Sequence, residues 1–262
     1  MRVFDFNRAI VREPGRSVID GLRQDVSGAL NFDEIVREHR AYVAALRMAG
    51  LEVDVLPPLE AYPDSVFVED PALVFPDGAI LMRPGAASRQ GEVKEIEGAL
   101  ARHFDRVPGL ENGEHVDGGD ILVTPGAVFI GLSGRTTRKG AEALRTKLRM
   151  FGRDARIVET PENVLHLKSA SALLDENTVV ATKPLAASGI FANFEVVIVP
   201  DGEESAANLV RINDAVFVDD RFPRTIALLE KRGLAVVPLS VREIARLDAG
   251  LSCMSLRWHT PG

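Results

Sequence analysis

The sequence predicts an α/β chain assembled from repeated ββαβ units, in the manner of an array or a propeller. Three observations predict it. Hairpins of two short apolar strands recur along the chain, each closed by a turn rich in Pro, Gly, Asn or Asp. A helix and a further strand follow most of them. The copies recur at intervals of roughly 40–50 residues, the range in which units that share a core with their neighbours repeat.

The N-terminal segment reads as a divergent first copy, from the strand Ala9-Ile10-Val11 through a helix from Phe32 to Met48 to a strand from Glu52 to Leu56. The next copy is clearer. Ala72–Phe75, the turn Pro76-Asp77-Gly78 and Ala79–Met82 form a hairpin, with a helical stretch from Gly91 to His103 after it. Proline presets φ and glycine accepts positive φ, so such a turn closes two β-rich runs. Ile121–Val123, Thr124-Pro125-Gly126 and Ala127–Ile130 repeat the pattern, with a helix over about Lys139 to Phe151. Ser171–Leu174 and Val179–Ala181 flank Asp175-Glu176-Asn177. Asn208–Arg211 and Ala215–Val218 flank Ile212-Asn213-Asp214, with a helix from about Arg224 to Arg232. The alternative that the residues leave open is an ordinary α+β sandwich whose hairpins are alike by coincidence. No Ser/Gly-rich linker or low-complexity tract divides the chain, so one domain over residues 1–262 is expected.

With 46% apolar and 26% charged residues among 262, the chain has the composition of a soluble globular protein with a sizeable core. Its formal charge of −7 offers no basic excess to displace counterions from nucleic acid, but suits a small cationic ligand. No uncharged apolar run reaches membrane-spanning length. Met1-Arg-Val-Phe-Asp-Phe-Asn has an early acidic residue and does not read as a secretory leader. The single cysteine excludes an intramolecular disulfide and points to a reducing, cytoplasmic setting. The oligomeric state stays open, a homodimer included.

Few segments could carry chemistry. Cys253 lies in Gly250-Leu-Ser-Cys-Met-Ser-Leu; a lone cysteine in apolar surroundings is more often inert unless a base or cation holds it as thiolate. His166, in Val-Leu-His-Leu-Lys-Ser, is either a paired structural histidine or an acid/base; His39, His103 and His259 read as surface residues. In His115-Val-Asp117-Gly118-Gly119-Asp120 two glycines allow close backbone approach and the acidic residues face a cation or cap the loop. Asp64-Ser-Val-Phe67-Val-Glu69-Asp70, if a strand, puts Asp64 and Asp70 on one face, which is costly without a cationic partner. Arg83–Arg89 and Ser133–Arg138 each follow a second hairpin strand and offer forked guanidinium groups to a carboxylate. Zinc-ligand spacings, phosphate-binding glycine loops and a serine-hydrolase elbow are missing, so neither a metal nor a cofactor is expected.

Taken in order, Asp64–Asp70, Arg83-Pro-Gly-Ala-Ala-Ser-Arg89, Val116–Asp120, Gly131–Thr136, Leu165–Ser169 and Gly250–Ser255 resemble the dimethylarginine dimethylaminohydrolase family of the guanidine-modifying (pentein) superfamily. The resemblance implies a five-bladed α/β propeller round a central cavity. It implies Cys253 as nucleophile, His166 as general acid/base and Asp117 as the carboxylate completing the set. It also implies a substrate-contacting set of Leu22, Asp64, Phe67, Glu69, Asp70, Arg89, Arg135 and Leu247. Within it, Asp70 pairs with a guanidinium, and Asp64 with main-chain oxygens of Leu22 and Leu247 meets an α-ammonium. Arg89 and Arg135 clamp an α-carboxylate, and Glu69 lies close by. The implied reaction is hydrolysis of a free methylated arginine to citrulline and an amine, through a covalent intermediate on Cys253. A thiolate beside an imidazole would also make thiophilic metals such as zinc inhibitors.

The related arginine deiminases carry Glu at the position of Asp117, which favours the dimethylarginine branch; Met254 replaces a polar or sulfhydryl residue. The competing readings are a deiminase releasing ammonia from arginine, and a non-catalytic amino-acid sensor on the same fold.

Overall fold

Four hairpins read from the sequence form as antiparallel pairs: β3 (Ala72–Phe75) with β4 (Gly78–Leu81), β5 (Ile121–Val123) with β6 (Val128–Leu132), β8 (Ser171–Leu173) with β9 (Thr178–Ala181), and β11 (Val210–Ile212) with β12 (Ala215–Asp219). The computed structural model describes residues 2–162 and 164–260. A helix returns the chain after the second strand of each pair: α2 (Glu92–Leu100), α3 (Arg138–Met150), α4 (Lys183–Ala187) and α5 (Pro223–Lys231). In three units a third strand then joins the second in parallel, namely β7 (Ala155–Glu159), β10 (Glu195–Ile198) and β13 (Ala235–Leu239). A parallel partner needs such a crossover, which is what the helix supplies.

The N-terminal copy is completed by the far end of the chain. β1 (Arg8–Arg12) pairs in parallel with β2 (Glu52–Leu56) after α1 (Phe32–Met48), and antiparallel with β14 (Leu256–Trp258). The expected first unit thus lacks its own inner strand and borrows the C-terminal one.

The helices bury one stripe. In α1 the buried Ile35, Glu38, His39, Tyr42, Val43, Ala45 and Leu46 recur at helical spacing, and the Asn31 side chain caps the N-terminus by accepting from Asp33 and Glu34 N–H. His39 corrects the expectation of a surface residue. It is 2% exposed, and burial, aided by Arg40, pushes its pKa down to about 4. Its neighbours at i+3 and i+7 are Tyr42 and Leu46, so it lies on the apolar stripe and stays neutral. Glu38 on the same face accepts from the N–H groups of Glu243 and Ile244, capping α6 (Arg242–Ala245).

The apolar residues gather in clusters that each join two neighbouring sheets. Ile10, Leu81, Ile96, Leu100 and Trp258 join the β1 and β3 sheets, and Leu73, Ile80, Ile130, Leu144 and Leu148 join the β3 and β5 sheets. Phe129, Leu173 and Phe191 join β5 to β8; Val180, Val218 and Leu229 join β8 to β11; Val11, Tyr42, Ile212 and Phe217 return from β11 to β1. This sequence of shared cores closes a ring of five sheets, a five-bladed α/β propeller. Each unit is stabilised by its neighbours, with roughly 1.5–3 kcal/mol for each large aliphatic side chain fully withdrawn from water.

Each of the equivalent strands β3, β5, β8, β11 and β14 is preceded by a short 3-10 turn: Pro63–Val66, Gly118–Asp120, Leu167–Ser169, Glu204–Ala207 and Leu251–Met254. Ring closure gathers these turns at one end of the axis. Residues 63–66 are therefore not a strand, and Asp64 and Asp70 do not share a pleated face. Pro63 opens the helical turn at its first position, and the N–H groups of Ser65 and Phe67 close on the carbonyls of Tyr62 and Asp64.

Candidate active site

The 3-10 turns present the chemically interesting side chains. Asp117 and His166 precede the turns of two successive blades, and His166 Nε2 lies 3.0 Å from Asp117 Oδ2. Two glycines make this approach feasible. A side chain at Gly118 would overlap the Glu69 carbonyl oxygen, and one at Gly119 would lie 2.8 Å from the His166 ring. Gly118→Ala is accordingly expected to cost more than about 2 kcal/mol, read as a fall in Tm, because the rigid backbone opposite cannot yield.

Asp120 knits the same region. Its Oδ1 accepts from Leu167 N–H at 2.9 Å, and its Oδ2 accepts from the hydroxyls of Ser133 and Thr136, both at 2.6 Å. It thereby holds the His166 turn to the loop carrying Arg135. Asp117 Oδ1 accepts from Gly85 N–H at 2.7 Å, tying in the 83–89 loop.

Burial would lower the basicity of His166, but the hydrogen bond to Asp117 and the charges of Asp70, Asp120 and Asp117 outweigh it and raise the pKa to about 9. The imidazole is protonated at neutral pH. Cys253 moves the other way: burial, Glu69 and Asp70 push the thiol up to about 11, against the Gly250 N–H and Lys168. The charges bearing most on the thiol thus come from these side chains, with carboxylates predominant.

Asp70 is buried and its Oδ1 accepts from Gly119 N–H at 2.9 Å. Burial alone would raise its pKa; Arg89 and His166 reverse this and hold it below the usual range. Arg89 pairs directly with Asp70 and with Glu92 at 2.8 Å, and donates to the carbonyl oxygens of Phe67 at 2.9 Å and Asp64 at 3.3 Å. With Nε also on Glu92 at 3.0 Å, one Nη1 hydrogen is left to offer elsewhere. Arg89 is therefore placed as the counter-ion of Asp70 and Glu92 rather than as an open fork. Burial is what pushes Glu92 up to about 7, opposed by Arg89.

Asp64 Oδ1 accepts from Leu22 N–H at 2.9 Å, and Gly21 lies against both Asp64 and Leu247, so the structure brings Leu22, Asp64 and Leu247 together. Burial raises the Asp64 pKa against Arg89 and Leu22 N–H. Phe67 is buried, and its carbonyl rather than its ring meets Arg89. Arg135 is half-buried, and among the described residues no acceptor holds its guanidinium. Glu69 binds Lys168 at 2.6 Å, Ser252 Oγ at 3.1 Å and Arg257 at 3.4 Å, while its N–H donates to the Cys253 carbonyl. It fastens the turn bearing the thiol to the turn after His166.

Among the described residues, Asp70, Asp117 and His166 bring donor atoms within 4.8 Å of one another, a set the sequence spacings did not reveal. The proton on His166 would have to leave before a metal could bind there. As it stands, two carboxylates flanking a cation form a site for positive charge. Sequence reading also missed Asn208, which stands 3.9 Å from Cys253 Sγ through Nδ2. Its segment looked like plain strand, and only ring closure places it by the cysteine.

The chain is similar to known proteins over most of its length. The arginine deiminase family model matches residues 55–203. A dimethylarginine dimethylaminohydrolase of Pseudomonas aeruginosa is 36% identical, with 97% of this chain and all of that one covered. A solved structure of the Pseudomonas aeruginosa enzyme, a Cys-to-Ser mutant complexed with citrulline, superposes with a TM-score of 0.94 at 36% identity over 97% of this chain and 100% of that one. A His-to-Gly dimethylarginine dimethylaminohydrolase adduct with S-methyl-L-thiocitrulline gives 0.93 at 36% identity over 96% and 99%. A shared ring and identity sustained from end to end are more than a common fold requires, and on both counts this chain belongs to the dimethylarginine dimethylaminohydrolase family.

Proposed function

We propose that this chain hydrolyses free Nω-methylated arginines to citrulline and methylamine or dimethylamine, with Cys253 as nucleophile, His166 as general acid/base and Asp117 as its partner. The observation that carries the reading is the His166–Asp117 pair at 3.0 Å, whose imidazole keeps its proton beside buried carboxylates. The relatives' complexes with citrulline and a thiocitrulline support the same chemistry.

A guanidinium is resonance-stabilised and a poor electrophile. Asp70 and Asp117 pair with its N–H groups and hold its central carbon against the sulfur. The incoming positive charge offsets the carboxylates that keep Cys253 protonated, so the thiol gives its proton to solvent as substrate binds. The thiolate then forms a C–S bond. His166 donates its proton to the departing amine as the C–N bond breaks, leaving an S-alkylthiouronium on Cys253. Neutral His166 next takes a proton from water, which attacks the same carbon; the C–S bond breaks with its electrons left on sulfur as thiolate, the hydroxyl proton passes to solvent, and neutral citrulline leaves. The reacting group begins as a cation, so the carboxylates supply the stabilisation that an oxyanion hole gives elsewhere. No cofactor enters these steps.

Asp64 with the main-chain oxygens of Leu22 and Leu247 receives the α-ammonium. Arg135 provides most of the carboxylate clamp, Arg89 adding its one remaining donor, and Phe67 and Glu69 shape the site from behind. Side chains from residue 64 to 253 are needed together, which supports residues 1–262 acting as one catalytic unit. All of them come from one chain, so the chemistry does not call for the homodimer. Among the described residues no helix is long and apolar enough to cross a membrane. A thiol that must stay reduced fits a cytoplasmic setting.

The test is to incubate the protein with dimethylarginine and with arginine, measuring citrulline, dimethylamine and ammonia separately. Citrulline with dimethylamine, faster than any ammonia release from arginine, is expected. Ammonia from arginine as the faster reaction would assign the deiminase instead, and bound ligand without citrulline would assign a sensor. The rate should decline as pH rises through about 9, where His166 loses the proton it donates.

A further inference from the structure

Four of the five turns at the ring's end carry or directly follow residues already assigned: Asp64, Asp117, His166 and Cys253. The fifth, Glu204–Ala207, is followed directly by Asn208. Its carboxamide is oriented by one main-chain donor. Oδ1 accepts from Ser252 N–H at 3.4 Å, which turns Nδ2 toward Cys253 Sγ at 3.9 Å. Gly250 N–H approaches the same sulfur at 3.5 Å. Gly250 itself has ordinary extended backbone, yet a side chain there would stand 2.5 Å from Asn208 Nδ2 and 2.8 Å from Oδ1. The glycine leaves the space that the carboxamide fills.

We propose that Asn208 is a further catalytic residue of the reaction, its amide N–H joining that of Gly250 to receive the negative charge that develops on Cys253 sulfur. The assignment rests on the function proposed above. It answers a need of that site, since Glu69 and Asp70 face the thiol with Lys168 as the opposing cation. Substrate supplies charge during the first attack. When citrulline departs, the thiolate is released beside a neutral product, and two fixed N–H donors then stabilise it. An N–H to a charged acceptor is worth about twice a neutral one, and the contact shortens as charge appears.

The experiment compares wild type with Asn208→Ala, Asn208→Asp, Gly250→Ala and the Asn208→Ala/Gly250→Ala double variant. The readouts are alkylation of Cys253 by iodoacetamide at pH 8 without substrate, kcat and KM for dimethylarginine, and Tm. Loss of one donor is expected to raise the thiol by about one pH unit. Alkylation then slows by roughly three- to tenfold, the smaller figure allowing for the greater intrinsic reactivity of a more basic thiolate. In Asn208→Ala, kcat falls at least about tenfold with KM changed less than about twofold. Asn208→Asp, with a carboxylate facing sulfur, slows both further. Gly250→Ala displaces the carboxamide and reproduces the Asn208→Ala values, and the double variant is no slower than either single one. Gly250→Ala carries the test if Asn208→Ala does not fold. Folded variants alkylated at the wild-type rate with unchanged kcat would overturn the role of Asn208. Turnover surviving in Cys253→Ser would instead overturn the reading on which it rests.

Discussion

Cys253→Ser is expected to abolish citrulline formation, lowering kcat by at least about 10⁴-fold, while substrate still binds. The sulfur is the one atom for which no neighbour can substitute. A serine hydroxyl would have to lose a far less acidic proton in a pocket where burial, Glu69 and Asp70 already push the Cys253 thiol up to about 11. His166 cannot take that proton, because it already holds its own until the pH passes about 9. The carboxylates proposed to hold the guanidinium and the Arg135 loop are untouched, so a calorimetric Kd for dimethylarginine should stay within a few-fold of the wild-type KM. The companion measurement is mass spectrometry of wild-type protein quenched in acid during turnover. It should show an added amidino-type mass on Cys253 that the serine variant lacks. Full activity in Cys253→Ser, or an acid-quenched protein bearing no adduct under any condition of turnover, would remove the covalent mechanism.

The free wild-type site differs electrostatically from the substrate-bound one. With a protonated thiol and a protonated imidazole, the resting protein is poised for a cation but carries no thiolate. A neutral alkylating reagent should therefore react slowly at pH 7, and an amidinium-bearing haloalkane much faster, since the second brings the charge that the first lacks.

Much of this was legible in the residues. The hairpin turns, three of the crossover helices and the span of α1 follow from local rules: Pro and Gly in turns and apolar spacing in helices. The ring was not local. β1 needs β14, a partner from the other end of the chain, and nothing within residues 8–12 announces that pairing. Residues 64–70 misled because Val66 and Val68 alternate as in a strand, whereas Pro63 starts a helical turn over 63–66. His39 misled because its polar neighbours conceal the stripe it shares with Tyr42 and Leu46. Asp117, His166 and Cys253 could be chosen by chemistry and resemblance. Asn208 could not, because an amide after Ala-Ala and before Leu-Val-Arg has no signature of its own. Arg89 shows the converse: its position near the acidic segment was readable, but its commitment to Asp70 and Glu92 depends on Glu92 lying one turn further on.

Asp117→Asn is expected to lower kcat/KM by about 10³-fold or more and to move the alkaline limb of the pH profile. Three contacts depend on this carboxylate. Oδ1 accepts from Gly85 N–H, Oδ2 meets His166 Nε2, and in the proposed complex the same group faces the substrate guanidinium. The amide keeps the size and can still accept through its oxygen, so the fold survives; the variant loses a charge rather than a shape. His166 then keeps only Asp70 and Asp120 as anionic neighbours against the cost of burial. Its proton should leave at a lower pH, shifting the alkaline limb from near 9 toward the ordinary histidine range. The sign of the stability effect follows. A histidine raised to about 9 in the folded state stabilises the fold fully below its unfolded value and ceases to do so as pH rises through about 9. In Asp117→Asn, Tm should therefore depend less on pH between roughly 6.5 and 9 than in wild type. The two measurements are independent, one kinetic and one thermal, and both read the same proton. An alkaline limb and a Tm profile identical to wild type would mean that Asp117 does not set the charge of His166, whatever its effect on rate.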